Sequence, residues 1–359
     1  MSQCCQRKRR LKIAQKFLIL CVLIVTNACT LSELERVATE YETSRPEQSS
    51  SSLSPLYNKN DILVPEEVIY GGQRPMDGVV GTFSRLLVGP GNEVRFNRPV
   101  AVGGVENYLY IVDAGFRVVF RYDLLDKRIK PIGQVGAEFI GEPGNIYVAK
   151  DLTFYIVDNM GKQVFHYDEQ GQILNTYRDT ANLANPIDVW VDEQIGDVYV
   201  ADGSYSHIVV FNQFGKAYRA VGRRGQGPGR FRAITDLTAG VDGSLYVLDR
   251  MELPVQVITK EGVFRYSFGE NEQVFPTSIA VDDNQLVFVS DKSDNKIRVY
   301  ENGQLLAAFG GGGHAPGRFR IITNLWVNGQ FLYVADSQNR RVQVMRINSP
   351  SAVSLPLGL

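Results

Sequence analysis

The sequence predicts an all-β protein, a six-bladed β-propeller whose ring is closed by an N-terminal strand that completes the last blade. Three observations predict it. An apolar run ending in aspartate recurs six times, the copies are about 45 residues apart, and short runs rich in Val, Ile, Tyr and Phe fill each interval. A repeat of this period is typical of propeller blades, each a four-stranded sheet.

Residues 1–28 are typical of an export signal. RKRRLKIAQK is followed by an apolar run from Phe17 to Val25 and then by Ala28-Cys29. A basic segment, a short apolar segment and a small residue before a cleavage site describe a signal peptide, and the apolar run is well short of the ~20 residues that span a bilayer. The sequence therefore predicts cleavage after Ala28.

The end of this segment resembles a bacterial lipobox, in which the cysteine is acylated and becomes the new N-terminus. The resemblance implies that Cys29 carries a lipid anchor in the bacterial cell envelope. Thr30 follows the cysteine in place of aspartate, which resembles the pattern for sorting to the periplasmic side of the outer membrane rather than the inner membrane. Two alternatives stay open: an uncleaved anchor, and a signal cut near Ala28 beside an incidental cysteine.

Residues 29–70 are predicted to tether the folded part to the membrane. LSELERVATEY has apolar residues at helical spacing, which is compatible with a short amphipathic helix. The following TSRPEQSSSSLSP is Ser-rich and contains two prolines, a composition typical of a flexible spacer.

Cysteine and charge distribution exclude two classes of protein. The last of the four cysteines is Cys29, so residues 30–359 contain no disulfide framework. Residues 1–28 have six basic and no acidic side chains, which leaves the rest of the sequence with 32 basic against 39 acidic residues. An acidic body offers no basic field for a nucleic-acid backbone, so we expect no nucleic-acid partner.

Residues 71–359 are predicted to form the propeller as a single domain. Each copy has an apolar inner strand, a second strand ending in aspartate, a third strand and a fourth. The six aspartates are Asp113, Asp158, Asp202, Asp249, Asp291 and Asp336. The sixth copy lacks a fourth strand after Ile347, and Thr82–Gly89 is predicted to supply it and so to remove a free sheet edge.

From Thr82 to Ile347 the repeats resemble the NHL-repeat family. The segments that carry the resemblance most clearly are YVADSQNRRVQVM in the sixth copy and DKSDNKIRVY in the fifth. The second copy, DNMGKQVFHY, and the fourth, DRMELPVQVI, depart from the family pattern. The resemblance implies a six-bladed propeller, and propellers host binding, scaffolding and several unrelated chemistries.

The six aspartates are interpreted as structural. An aspartate at the start of a tight turn accepts hydrogen bonds from backbone N–H groups of that turn. Six equivalent positions around a ring cannot all serve one active site, so we predict no catalytic role for them.

A second series precedes those aspartates at a nearly constant spacing, where each inner strand begins. Its members are Ala101, Asn145, Asp188, Asp236, Ser278 and Asn324. Inner strands line the central channel, and the oxygens of Asp and Asn suit Ca²⁺. Gluconolactonase- and paraoxonase-like propellers are similar in holding a divalent cation there, although this series contains no Glu. The alternative is that these are polar strand ends that bond water and backbone.

A third candidate site comprises the arginines of two Gly-rich connections, GRRGQGPGRFR at residues 222–232 and GGGGHAPGRFR at residues 310–320. They are Arg223, Arg224, Arg230, Arg232, Arg318 and Arg320. Arginine recognises carboxylate or phosphate groups, and loops on a rigid scaffold commonly carry binding residues. The alternative is that they are blade-to-blade connections whose arginines pair with acidic residues of the same protein.

The sequence favours a binding role over an enzymatic one. The expected partner is an envelope protein or glycan, bound through the face that carries the Gly/Arg loops, with no cofactor other than possible Ca²⁺. The alternative is a metal-dependent hydrolase or lactonase that uses the polar series. The Gly-rich loops lack the Lys-Ser/Thr of a P-loop, Ser293-Asp294-Asn295-Lys296 lies in a hairpin turn, and the three histidines are not predicted to meet.

Overall fold

The computed structural model describes residues 62–73, 93–132, 135, 138–272 and 274–348. The predicted signal peptide, Cys29 and the proposed strand Thr82–Gly89 lie outside these residues. Apart from one short 3₁₀ turn at Ser337–Asn339, every regular element described is a β-strand. None of the described residues forms a helix that could cross a membrane.

The strands are grouped into six sheets, the blades. Three strands precede the first blade: β1 (Leu63–Ile69), β2 (Gly71–Gln73) and β3 (Glu93–Arg95). Blade 1 contains β4 (Pro99–Val105), β5 (Tyr108–Asp113), β6 (Val118–Asp123) and β7 (Arg128–Pro131). Blade 2 contains β8 (Ile146–Val148), β9 (Phe154–Asp158), β10 (Gln163–Tyr167) and β11 (Ile173–Tyr177).

The remaining blades repeat this plan. Blade 3 contains β12 (Pro186–Asp192), β13 (Asp197–Asp202), β14 (His207–Phe211) and β15 (Ala217–Val221). Blade 4 contains β16 (Ile234–Ala239), β17 (Leu245–Asp249), β18 (Val255–Ile258) and β19 (Phe264–Phe268). Blade 5 contains β20 (Pro276–Val281), β21 (Leu286–Asp291), β22 (Lys296–Glu301) and β23 (Gln304–Gly310). Blade 6 contains β24 (Ile322–Asn328), β25 (Phe331–Asp336) and β26 (Arg341–Ile347).

An N-terminal strand closes the ring, as predicted, but it is a different strand. β1 pairs antiparallel with β26 from Leu63↔Ile347 to Ile69↔Val342 and is the fourth strand of blade 6. The assignment of this position to Thr82–Gly89 is therefore wrong, and the propeller begins before residue 71. The sequence hides β1 because it is an outer strand: Pro65 lies at a bulge, and Glu66 is exposed.

The same N-terminal segment also covers the edge of blade 1. β2 follows β1 after the single residue Tyr70 and pairs with β7, and β3 pairs with β2. Blade 1 is therefore part of a six-stranded sheet, whereas the other blades have four strands. One short segment thus completes blade 6 and protects the outer edge of blade 1 from pairing with other molecules.

The core lies between neighbouring blades. Each apolar cluster takes residues from two successive sheets; Tyr199 and Ile208 of blade 3, for example, pack with Leu237 and Val247 of blade 4. Second strands are the most buried, and every residue of β9, β13, β17 and β21 is buried. The repeated apolar runs therefore form strands that are covered on both faces, which explains why they do not alternate cleanly with polar residues.

Antiparallel order gives the propeller two distinct faces. First and third strands begin, and second and fourth strands end, at what we call the upper face. It contains the second-to-third-strand turns and the blade-to-blade connections. The lower face contains the first-to-second and third-to-fourth turns.

Candidate functional site

The six repeated aspartates form a buried ring near the upper face, which we call the aspartate ring. Each has 0% relative exposure and accepts a backbone N–H from the connection that precedes its own blade. Asp202 is representative. It accepts N–H groups of Ala184 and Asn185 at 2.6 and 2.8 Å, and of Ser204 and Tyr205 at 2.8 and 2.6 Å. The carboxylate therefore connects the segment that leads into the blade with the turn that follows the second strand, which agrees with a structural role.

The second polar series also lies together, at the upper mouth of the central channel, and we call it the channel ring. Four of its members accept a backbone N–H from the next blade, always from the residue after the equivalent position. Leu237 N donates to Asp188 Oδ2 and Ile279 N to Asp236 Oδ2, both at 2.8 Å. Leu325 N donates to Ser278 Oγ and Val102 N to Asn324 Oδ1, both at 2.9 Å. These bonds connect blades 3, 4, 5, 6 and 1 in sequence.

Two positions of the channel ring depart from this pattern. Ala101 has no side-chain acceptor. Asn145 reaches across the channel, with Nδ2 3.1 Å from Asp236 Oδ1 and Oδ1 accepting from Asn324 Nδ2 at 3.4 Å. The backbone N–H of Val189, which Asn145 would serve in a regular repeat, donates instead to Asp188 Oδ1 at 2.8 Å. Polar side chains therefore meet across the upper mouth.

Asp188 and Asp236 are adjacent acids with almost no contact with solvent, at 5% and 2% relative exposure. Burial raises the pKa of Asp188 well above its usual value, and the neighbouring Asp236 carboxyl raises it further. Burial also raises the pKa of Asp236. Two carboxylates in one buried site cannot both ionise easily, so the pair retains a proton above the pH at which free carboxyls lose theirs.

A cavity of about 210 Å³ lies on the channel axis and is lined by inner-strand residues of all six blades, including Asp188 and Asp236. Trp190 and Trp326 also line it. Their rings lie 5.2 Å from those of Tyr199 and Tyr333, respectively, on the neighbouring second strands. Each tryptophan therefore packs against a tyrosine of its own blade and also forms part of the channel wall.

The channel ring offers oxygen atoms of the kind that bind hard cations, but these oxygens already accept hydrogen bonds from the protein. Both oxygens of Asp188, both of Asp236, Oγ of Ser278 and Oδ1 of Asn324 each accept a hydrogen bond. Within the described residues, no group of three or more His, Cys, Asp or Glu side chains could hold a metal ion. A cation here would have to rely on two carboxyls together with amide and hydroxyl oxygens.

The two Gly-rich connections share a backbone hydrogen-bond pattern, although Gly227 has a φ of +85° and the equivalent Ala315 a negative φ. In each, the buried phenylalanine of the G-R-F-R motif exchanges N–H···O bonds with residues six and eight positions earlier. The donor–acceptor pairs are Gly225 N–Phe231 O and Phe231 N–Arg223 O in the first, and Gly313 N–Phe319 O and Phe319 N–Gly311 O in the second, at 3.0 to 3.1 Å. Gly222 and Gly310 have φ of +73° and +106°, and a Cβ would clash with the phenylalanine ring, which explains these glycines.

A buried glutamine holds each loop, and neither glutamine was predicted from the sequence. Gln256 accepts from Gly229 N at 2.9 Å and donates to Arg230 O at 2.7 Å. Gln343 makes the equivalent bonds to Gly317 N and Arg318 O at 2.9 and 2.7 Å. Both occur in a Val-Gln-Val run of the third strand, and this shared triplet is a signal that could have identified them.

The six candidate arginines lie in these two loops on the upper face, in two separate groups. Arg223, Arg224 and Arg230 are exposed, and Arg232 is half-buried, with Nη1 3.9 Å from Glu252 Oε2. In the second loop Arg318 and Arg320 are exposed, and Arg318 Nη1 donates to Gly310 O at 2.5 Å. The two loops are the third and fifth blade-to-blade connections, so the connection between blades 4 and 5 separates the groups.

The two faces carry opposite charge. In the described turns and connections of the upper face, the basic residues are Arg98, Arg117, Lys162, Arg178, Arg223, Arg224, Arg230, Arg232, Arg250, Lys292, Arg318, Arg320 and Arg340. The acidic ones are Glu138, Glu142, Asp179, Glu252, Glu270, Glu272 and Asp294. On the lower face the basic residues are Lys127, Lys150, Lys216 and Lys260, and the acidic residues are Glu106, Asp126, Asp151, Asp168, Glu169, Glu193, Asp242, Glu261, Asp282 and Asp283. The turns and connections of the upper face are therefore basic, whereas the six aspartates of the aspartate ring lie buried beneath them and the body of the protein is acidic.

The histidines do not meet in one site. His166 in β10 stacks on Tyr155 with 4.0 Å between ring centroids, and burial lowers its pKa. His207 begins β14 and its Nε2 lies 2.7 Å from Asn182 O. His314 is exposed in the second Gly-rich loop. The exclusion of a three-histidine metal site is in agreement with this arrangement.

Comparison with known proteins supports the architecture. A family model described as a 6-bladed beta-propeller matches residues 189–256. The protein is a six-bladed β-propeller. Among solved structures, it is similar to a protein of unknown function from Bacteroides thetaiotaomicron, with a TM-score of 0.57, 16% identity, and coverage of 78% of this chain and 75% of that one.

Two lyase structures are also similar. Streptogramin B lyase matches with a TM-score of 0.55 and 12% identity, covering 70% of this chain and 93% of that one. Virginiamycin B lyase from Staphylococcus aureus matches with a TM-score of 0.53 and 13% identity, covering 70% and 95%. Likeness at this identity shows the fold alone. No curated protein matches the sequence.

Proposed function

We propose that this protein is a lipid-anchored component of the bacterial cell envelope whose propeller binds an anionic envelope protein or glycan through its upper face. The observation that carries the proposal is the separation of charge between the faces, with the upper-face arginines concentrated in two rigid loops. Opposite charge steers a partner to one face and fixes its orientation.

Rigid loops favour binding because little conformational freedom is lost when a partner docks. In both loops the glutamine of the third strand fixes the backbone beside the arginine that precedes phenylalanine. Arginine on a fixed backbone presents its planar donors to a carboxylate or phosphate at reduced entropic cost. The loops are therefore suited to recognition by charge and geometry together.

The binding role is tested by recovering partners from detergent-solubilised membranes with the full-length protein and with a variant in which Arg230, Arg232, Arg318 and Arg320 are all replaced by Gln. A specific partner should be lost from the variant and retained by a matched fourfold change of the lower face, Lys127, Lys150, Lys216 and Lys260 to Gln. Equal recovery by all three proteins would contradict the proposal.

The anchor is tested separately at Cys29. Cys29→Ala should abolish incorporation of labelled palmitate and release the processed protein from membranes. Labelling that persists in the variant would overturn the lipid anchor but would leave binding by the upper face untouched, because Cys29 lies outside the described propeller.

A second candidate is a metal-dependent hydrolase or lactonase in the channel. The observation that favours it is the meeting of Asp188, Asp236 and Asn145 at the upper mouth above a cavity. With a divalent cation bound, these oxygens together with Asn324 and Ser278 would hold the ion, which would act as a Lewis acid. Stoichiometric Ca²⁺ in purified protein, and lactone hydrolysis lost in Asp236→Ala, would favour this candidate over the first.

A further inference from the structure

We propose that the upper-face seam between blades 4 and 5 binds an apolar side chain of an acidic protein segment. The residues that form this site, which we call the seam patch, are Arg250, Met251, Val274, Phe275 and Lys292. The inference rests on the proposed function and narrows its partner to a protein.

The seam patch exposes three apolar side chains. Val274 and Phe275 are the last two residues of the connection that leads into β20, and Met251 lies in the turn after β17. Their relative exposures are 76%, 37% and 54%, respectively. Methionine and aromatic residues are enriched in the cores of protein interfaces, and apolar side chains grouped at a surface favour contact with another protein.

The aspartate ring fixes the backbone beneath these side chains. Val274 N donates to Asp291 Oδ2 at 2.7 Å, and Phe275 N lies 3.2 Å from both oxygens of the same carboxylate. Met251 N donates to Asp249 Oδ1 at 2.8 Å. The apolar side chains are therefore exposed on a backbone that is already ordered, which lowers the entropic cost of binding a partner.

Two cations from different blades contact the aromatic ring of the patch. The guanidinium carbon of Arg250 lies 4.6 Å from the ring centroid of Phe275, and Nζ of Lys292 lies 5.8 Å from it. Among the residues that the structure describes, no acid forms an ion pair with either cation, including Glu270 and Glu272 of the same connection. The ring holds the two cations beside the apolar side chains, and their charge is open to carboxylates of a partner.

The seam patch also has arginines on both sides of it. The connection between blades 4 and 5 lies between the two Gly-rich loops, which carry Arg230 and Arg232 on one side and Arg318 and Arg320 on the other. An apolar centre with a charged surround is the arrangement typical of the residues that dominate binding energy at protein interfaces. The two arginine groups are therefore interpreted as the two sides of one binding surface.

An acidic protein segment fits the patch better than a glycan or a lipid surface. An acidic glycan supplies the charge but has no aliphatic or aromatic side chain to cover Val274 and Met251. An anionic lipid surface supplies both, but the 39 acidic against 32 basic residues after position 28 oppose its approach. A segment with a Leu or Phe side chain between Glu or Asp residues matches both parts of the patch.

The test measures the affinity of the full-length protein for two fluorescein-labelled peptides by anisotropy at low salt. The peptides are Glu-Glu-Leu-Phe-Glu-Glu and Glu-Glu-Ala-Ala-Glu-Glu, which have the same charge and differ only in apolar surface. The wild type should bind the Leu-Phe peptide about tenfold more tightly, a difference of about 1.4 kcal/mol.

Two double variants separate the apolar and charged parts of the patch. Met251→Ser with Val274→Ser should reduce the preference to less than about twofold, whereas the lower-face control Val241→Ser with Val263→Ser, at similarly exposed positions, should retain it. Arg250→Gln with Lys292→Gln should weaken the binding of both peptides about fivefold and leave the preference, because the glutamates are common to both. The lower-face control is Lys150→Gln with Lys216→Gln.

A preference that survives Met251→Ser with Val274→Ser, or a wild type that does not distinguish the peptides, would overturn the seam patch. Sedimentation with phosphatidylglycerol vesicles that is lost in the same double variant would assign the patch to a lipid surface and would also overturn the proposal. Neither result bears on recovery of the envelope partner by the fourfold arginine variant, in which the seam patch is intact, so failure of the proposed function is detected separately.

Discussion

The aspartate ring and the channel ring lie on the same face of the propeller but differ in how strictly they repeat. All six positions of the aspartate ring are Asp, and each connects parts of its own blade. The channel ring contains Ala, Asn, Asp and Ser, and four of its members connect one blade to the next. Every aspartate accepts an N–H from the segment that leads into its own blade, whereas the bonds between blades are varied and incomplete.

The number of bonds that each residue makes explains the difference. Asp202 must accept four backbone N–H groups at once, and only a carboxylate has enough lone pairs in so small a space. A channel-ring residue needs a single oxygen for one N–H of the next blade, which Ser278 or Asn324 supplies as well as an acid. The residue type at a channel-ring position can therefore vary as long as one oxygen accepts that N–H.

The largest effect is expected from breaking the aspartate ring. Asp202→Ala leaves four backbone donors without an acceptor and should lower the free energy of unfolding by on the order of 4 kcal/mol, measured by urea denaturation. The exposed Asp283 serves as the control, and its change to Ala should stay within about 0.5 kcal/mol of wild type. If Asp202→Ala does not fold, Asp202→Asn should still fall between the two, since it keeps one acceptor oxygen.

A smaller effect is expected from the channel ring. Ser278→Ala removes the acceptor of Leu325 N and gives blade 5 the residue that blade 1 has at Ala101. The loss should be about 1.5 kcal/mol, with Ser204→Ala, at an exposed position, as the matched control. A loss as large as that of Asp202→Ala would remove the distinction between the two rings.

The smallest effect depends on pH. Because the folded-state pKa of Asp188 is raised, its contribution to stability is full below the unfolded value of about 3.9 and is lost as the pH rises through the folded value. Asp188→Asn removes the ionisation but also removes one of the two oxygens that accept the N–H groups of Val189 and Leu237. The variant should therefore be less stable than wild type near pH 4, and the difference should narrow as the pH rises to 7.5 and the wild type loses the contribution of the protonated carboxyl. Parallel stability curves for the two proteins would contradict this.

Repeated local features were predictable from sequence, and contacts between distant segments were not. The six strands that end in aspartate are evident in the sequence because each blade needs a carboxylate at this position to accept backbone N–H groups. β1 was missed because pairing with β26 needs backbone groups rather than a particular side chain, so Pro65 and Glu66 are tolerated in an outer strand. Thr82–Gly89 resembles the other fourth strands more closely, yet Leu63–Ile69 pairs with the last strand.

In the candidate sites, too, the positions of the residues were predictable from the sequence, whereas their contacts were not. Spacing identified every member of the channel ring, since all begin inner strands. The bond from Asn145 to Asp236 depends on the channel diameter and the side-chain rotamers, which spacing does not encode. Matching the two Gly-rich motifs predicted two similar loops, but the contacts of Glu252 and Asn339 with those loops come from another turn and differ between the two.

The pairing of β1 with β26 imposes an order on biosynthesis. A ribosome that adds about 5–20 residues per second releases Leu63 roughly half a minute before it reaches Ile347. During that interval the first strand of the closing sheet has no partner, and the nascent polypeptide has an open edge that can pair with another molecule. Contacts this distant in sequence also slow folding. Ring closure therefore cannot precede the synthesis of β26, and a protein truncated before Arg341 would lack the strand that pairs with β1.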